Sequence, residues 1–263
     1  MEVGNRKGQV TIFVIIAILI IALSFAIFLF FKKTNVDDIN GERIYLYAKN
    51  CLEQVSEQAV LEIGEQGGYS SLNASIYSFP YIVPVYMNKG EKKIPTKEII
   101  EKEISLYISN YVPECFGNFS EFVNEGFSIK TGEIKTTTTI KEDSVKINSD
   151  IPLTVSKGES SVIFRSFSTI IKPVRIPKML EISEIIVDRQ IDYSKAICLS
   201  CLVLNEENDI SLKIFETDNN NEFVYVISDN SSFISGVAYN FSFGIRYDFP
   251  ICNTNKGCFN ELS

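Results

Sequence analysis

Apolar and polar positions change their rhythm along this chain. From Val10 to Phe31 there is no charge for 22 residues, and only Thr11 and Ser24 are polar. At ~1.5 Å of rise per residue the run reaches roughly 33 Å, enough to cross the hydrocarbon core of a bilayer. A transmembrane helix is therefore expected over 9–33, closed by Lys32 and Lys33. A basic leader at 1–8 precedes it, and a polar linker at 34–41 follows, with Asn40-Gly41 as a break. Apolar positions then recur at three and four. Ile44, Tyr47, Ala48, Cys51, Val55, Ala59 and Ile63 mark one face of a helix from Glu42 to Glu65, which Gly64 and Gly67-Gly68 are expected to end. From Tyr69 to Pro95 the pattern predicts loop and short strand. Pro80 and Pro84 each remove a ladder donor, so Phe79 to Tyr86 is expected at an edge, either packed on the first helix or offering its aromatic rings as a contact surface. Thr96 is placed to cap a second helix reaching about Val112, with Ile99, Ile100, Ile104, Tyr107 and Ile108 inside and Pro113 as its stop.

From Phe127 the period becomes two. Phe127 and Ile129, then Ile134, Thr136, Thr138 and Ile140, alternate across strands. Val145 to Ile147, Ile151 to Val155 and Ser161 to Ile171 continue a meander, with turns at Glu142-Asp143-Ser144 and Lys157-Gly158. The threonines at 136–139 serve strand propensity or glycan attachment. Pro177 opens a third helix, Lys178 to about Ile191. A second β region over Ile197 to Phe249 has strands near 197–204, 210–216, 222–228 and 234–248. Asp218 to Glu222 forms the tip between two of these, either a hairpin turn or a cluster of hard oxygens for Ca²⁺. The expected fold is α+β: one N-terminal transmembrane helix, then an extracellular domain of helices packed on antiparallel β-sheets. That domain divides into a 42–176 region with two helices and a meander, and a 177–263 region with the linking helix and second β region.

Charge and composition narrow the function. Beyond residue 33 the chain has 21 basic against 32 acidic residues, a net of −11 that repels nucleic acid and anionic lipid. There is no histidine, the commonest general base and metal ligand. No P-loop, GxSxG, HExxH or paired-carboxylate motif occurs, so no catalytic residue and no cofactor is assigned. The six cysteines, Cys51, Cys115, Cys198, Cys201, Cys252 and Cys258, all lie beyond the apolar run, as do sequons beginning at Asn73, Asn118, Asn230 and Asn240. Both suit an oxidising space, with the amino terminus in the cytoplasm and the domain outside. Cys51 and Cys115 fall on or beside neighbouring helices and are the favoured disulfide. For a loop of this length, about 64 residues, the chain-entropy model gives about 4 kcal/mol. Cys198-Leu199-Ser200-Cys201 lies in a strand-like context, where residues three apart face opposite ways. Bridges among 198, 201, 252 and 258, a Cys₄ zinc site and a redox pair remain as readings there.

Lys7-Gly8-Gln9-Val10-Thr11 resembles the class III signal peptide of archaeal type IV pilin-like proteins. In that family a basic residue and a glycine precede the cut, glutamine begins the mature chain, and serine or threonine often stands third. The resemblance implies a prepilin-type peptidase cutting between Gly8 and Gln9, with the lipid bilayer and like subunits as partners. Phe13 stands where the family usually places a glutamate that meets a neighbour's amino terminus. The expected function is a pilin-like structural or adhesive surface subunit. The alternative is an anchored extracellular ligand-binding module that forms no filament.

Overall fold

The computed structural model describes residues 16–27, 41–71, 75–192, 209–219 and 221–248. Gly8, Gln9, Asn73, Cys198, Cys201, Cys252 and Cys258 lie outside the described residues, as do the leader, most of the linker and the expected strand near 197–204. Residues 16–27 form a helix, α1, exposed along its whole length, in which Ser24 Oγ donates to the Ile20 carbonyl at 2.8 Å. Among the described residues no helix is long and apolar enough to cross a membrane. The rest of the 9–33 run lies outside them.

The domain begins with α2 (Gly41–Glu65), β1 (Ser75–Ser78), β2 (Tyr81–Asn88), β3 (Glu91–Lys92), α3 (Lys97–Phe116) and the short α4 (Ser120–Asn124). It continues with β4 (Ser128–Thr131), β5 (Lys135–Ile140), β6 (Val145–Lys157), β7 (Ser160–Ile171), α5 (Ile176–Asp192), β8 (Ile210–Glu216), β9 (Glu222–Ile234) and β10 (Val237–Arg246). The class is α+β. One sheet has six strands in the order β1-β2-β10-β9-β8, with β3 also on β2; all its pairs are antiparallel except β2–β10, which is parallel. The other sheet has four strands. β7 lies along one side of β6, and β4 and β5 share the other side end to end.

Several expectations are corrected. β2 is not an edge strand, because its second half pairs with β10 from Val85 onward, one residue past Pro84. The proline therefore falls where no β10 partner needs its missing donor. That pairing joins strands from either side of residue 177, so 42–176 and 177–263 share one sheet. The expected strands 145–147 and 151–155 are one continuous β6. Pro152 is absorbed by a register shift between Asp150 and Leu153, and opposite it the ladder breaks at Gly132, whose N–H donates to the Pro152 carbonyl at 2.7 Å. The strand expected to end at 228 runs on to Ile234. Pro113 does not stop α3. The buried Phe116 and the Cys115 bridge hold the last turn against the ~3 kcal/mol cost of an interior proline. Gly117, at φ 53°, ends the helix instead. Thr96 occupies the cap position without a side-chain cap hydrogen bond, and Ile99 points outward.

α2 connects the two sheets. At its start, a Cβ on Gly41 would lie 3.1 Å from the Phe164 ring of β7, and Tyr45 stacks on Phe167 at 4.9 Å. Near its end, a Cβ on Gly64 would come within 2.7 Å of Tyr239 and the Asn240 carbonyl of β10. Gly64 thus serves close packing inside the helix. The stop falls to Gly67 and Gly68, both at positive φ, with the Gly68 N–H returning to the Ile63 carbonyl at 2.7 Å. At ~1.5 Å per residue these 25 residues carry the chain about 37 Å, from the four-stranded sheet to the six-stranded one. α3 lies alongside α2, and Cys51 is bonded to Cys115 with Cα atoms 5.7 Å apart. α3 also covers the free side of β5: Ser105 Oγ accepts the Thr138 N–H at 3.0 Å, and Glu101 accepts that of Ile140 at 2.8 Å.

Candidate functional site

Phe79 to Ile82 belongs to the six-stranded sheet, which meets the carboxyl end of α2: a Cβ on Gly67 would come within 2.8 Å of Pro84 in β2. β2 divides its partners. Its second half belongs to the sheet, while its first half pairs with β1 through Ser75–Pro84, Ile76–Val83, Tyr77–Ile82 and Ser78–Tyr81. The β1–β2 hairpin crosses the outer side of the six-stranded sheet. Gly244 makes this crossing possible, since a Cβ there would stand 2.7 Å from Ile76 Cδ1. Beneath the hairpin Ile76, Val83, Val85, Val224 and Val226 form a small second core. Tyr81 packs on Phe215 at 5.1 Å between ring centroids, and Ser78 Oγ donates to the Glu216 carbonyl at 3.3 Å, which pins the tip to β8.

The residues left over face solvent. Tyr77 and Ile82 are cross-strand partners, 61% and 51% exposed, and Phe79 in the turn is 83% exposed. Three large apolar side chains on one anchored turn are more than a single stray surface residue, and contiguous exposure of this kind marks contact sites. The arrangement offers apolar and ring contact on a fixed backbone. It offers no nucleophile or base.

Two other places hold concentrated chemistry. Between α2 and α3 lies a hollow of about 470 Å³ lined by Glu62, Tyr107, Tyr111 and Glu114 among others. There Tyr107 donates to Glu62 Oε2 at 2.9 Å, and burial followed by this carboxylate raises the Tyr107 pKa. The second is interior. Asp229 of β9 is fully buried and accepts from Arg175 Nε at 2.8 Å and Nη2, from Ser232 Oγ at 2.6 Å and from the Ser231 N–H at 3.0 Å. Burial pushes its pKa up, but these hydrogen bonds and the guanidinium charge outweigh it, and the net shift is downward. This cluster ties the residue before α5 to β9. Its acceptor is wholly enclosed, so it reads as structural. Four residues back along β9, the Tyr225 and Tyr247 hydroxyls meet at 2.9 Å, and Tyr247 donates to Gln190 Oε1 at 2.6 Å.

No family model, curated protein or solved structure matches this chain.

The sequence candidates separate accordingly. Asn118 stands exposed at a left-handed kink, with Ser120 of its sequon also exposed. Asn230 is exposed, but the Ser232 hydroxyl of its sequon is committed to Asp229. Asn240 lies within β10, its Oδ1 accepting from Ser228 at 2.7 Å and its sequon partners Phe241 and Ser242 buried. At the 218–222 turn, Glu222 is held by Arg246 at 2.6 Å and Asn219 at 2.9 Å. Among the described residues no group of three or more Cys, Asp or Glu is placed to hold a metal ion. Arg175 and Asp229 were not visible as a pair in the sequence. The one available signal was an arginine and an aspartate on either side of the linking helix.

Proposed function

We propose that this chain is a membrane-anchored cell-surface protein, a pilin-like structural or adhesive subunit. Its disulfide-clasped domain presents the β1–β2 tip to a neighbour. The observation that carries the reading is the uncharged run from Val10 to Phe31. Its central part is a helix with apolar side chains exposed all round, the state of a helix made for lipid rather than for a protein core. The tether enters the domain at the start of α2, and the sheet that carries the apolar tip packs on the other end of that helix, suited to reach away from the bilayer. The second reading, an anchored ligand-binding module that forms no filament, is favoured by Phe13, which leaves the apolar run without the carboxylate that filament packing uses in the resembling family. Both readings share the anchor and the leader. Mass spectrometry of the amino terminus of protein from the membrane fraction tests them: the mature chain is expected to begin at Gln9. A chain beginning at Met1 sinks the processing claim, and one beginning beyond residue 33 sinks the anchor.

A further inference from the structure

The acidic excess is not spread evenly. Residues 127–172, which build the four-stranded sheet, hold seven basic and five acidic residues, whereas the rest of the chain holds 18 basic and 28 acidic. The outward face of that sheet sharpens the contrast. Strand alternation and pairing place Lys135, Asp150 and Ser166 in one cross-strand row, Thr137, Asn148 and Ser168 in the next, and Thr139, Lys146 and Ile170 in a third. Lys135, Lys146 and, at the register shift, Arg165 are exposed, and Asp150 is the one acid within these three rows. Among the described residues neither Lys146 nor Arg165 makes an ion pair, and Lys135 meets only the exposed Glu133 at 3.3 Å. Ile163 and Ile170 stand out of the same sheet, 58% and 55% exposed. A shallow hollow of about 510 Å³ lies over the middle row.

The position of this face adds a second observation. α2 begins against β7, where Gly41 meets Val162 and Phe164. Thirteen residues, 28–40, separate α1 from that point. Even fully extended they span at most about 45 Å. The cationic sheet is thus the part of the domain that packs on the residue where the tether joins it.

We propose that the outward face of β5, β6 and β7 lies on the anionic headgroups of the bilayer that holds the chain. Lys135, Lys146 and Arg165 supply the charge contacts, and Ile163 and Ile170 sit at the headgroup boundary. The inference rests on the anchored reading above. It refines the expectation that an acidic domain is repelled by anionic lipid, because a charged surface responds to the patch within a Debye length rather than to the whole-domain sum.

The test places the full chain in nanodiscs of phosphatidylcholine alone, or with one third phosphatidylglycerol, and follows lysine acetylation by mass spectrometry. In anionic discs Lys135 and Lys146 are expected to react about fivefold more slowly than in neutral discs, the effect of one surface charge held near anionic lipid. Lys213, on β8 of the other sheet, should be unchanged. The exposed replacement Arg165→Glu should return Lys135 to its neutral-disc rate. Equal rates in the two discs overturn the proposal. Equal protection in both overturns it too, since the cover would then not depend on charge. A chain that enters neither disc overturns the anchored reading itself, and this inference with it.

Discussion

Asp229 illustrates how much one side chain contributes and how little of that is legible beforehand. In the sequence, Asp229-Asn230-Ser231-Ser232 has the composition of a turn, and the strand before it was expected to end at 228. In the fold those residues stay in β9, because Arg175, 54 positions away, and two serine donors satisfy the buried carboxylate. No local pattern announces a partner at that distance. Asp229→Asn keeps the shape and removes the charge, so Arg175 loses that carboxylate. Loss of one member of such a pair costs about 3 kcal/mol near neutral pH, and urea unfolding at pH 7 measures it. The aspartate pKa is lowered by folding, so its contribution is complete above the ordinary value near 4 and fades as pH falls through the folded value. The gap between wild type and variant should therefore narrow steadily below about pH 4. A gap that stays constant down to pH 2 would assign the loss to shape rather than charge.

At the scale of elements, the helices and the alternating strands were the readable part. The α2 face at Ile44, Ala48, Cys51, Val55, Ala59 and Ile63 is buried as its spacing predicts, because a 3.6-residue period leaves one face to hide. What could not be read was partnership. The parallel pairing of β2 with β10 joins residues about 160 positions apart and leaves no trace in either segment's periodicity. Gly64 is a related case. Its place in the helix is set by β10, so a residue that looks like a stop is a contact. Gly64→Ala gains up to about 1 kcal/mol of helix propensity, but pushes a methyl group into the Tyr239 ring and the Asn240 carbonyl, an overpacking cost of about 1–3 kcal/mol. A net loss of stability is expected in thermal unfolding; a rise in Tm would show that α2 stands off the sheet. The hairpin tip gives the opposite expectation. Tyr77→Ser combined with Phe79→Ser removes exposed side chains, so stability should move by no more than about 0.5 kcal/mol per site. Cross-linking of neighbouring copies in the membrane fraction should fall by roughly tenfold, the effect of losing a contact aromatic. Unchanged cross-linking would remove the tip from the contact surface.

For the whole molecule, α2 sets the polarity: the cationic sheet packs on its amino end and the sheet that carries the apolar hairpin on its carboxyl end. The sequence carried the apolar run behind the proposed anchor plainly, since 22 uncharged residues need no partner to be recognised. It carried the charge only as a sum, and the sum concealed a sheet of the opposite sign. The end-to-end placement came entirely from contacts at Gly41 and Gly64. The central claim is that this domain stands outside the membrane on its own apolar stem, and protease shaving of intact cells tests it most directly. The account predicts that peptides from 41–248 are released before lysis, with Cys51 and Cys115 still joined, while the apolar segment stays with the cells. Peptides from 41–248 that appear only after lysis, with both cysteines as free thiols, would contradict it.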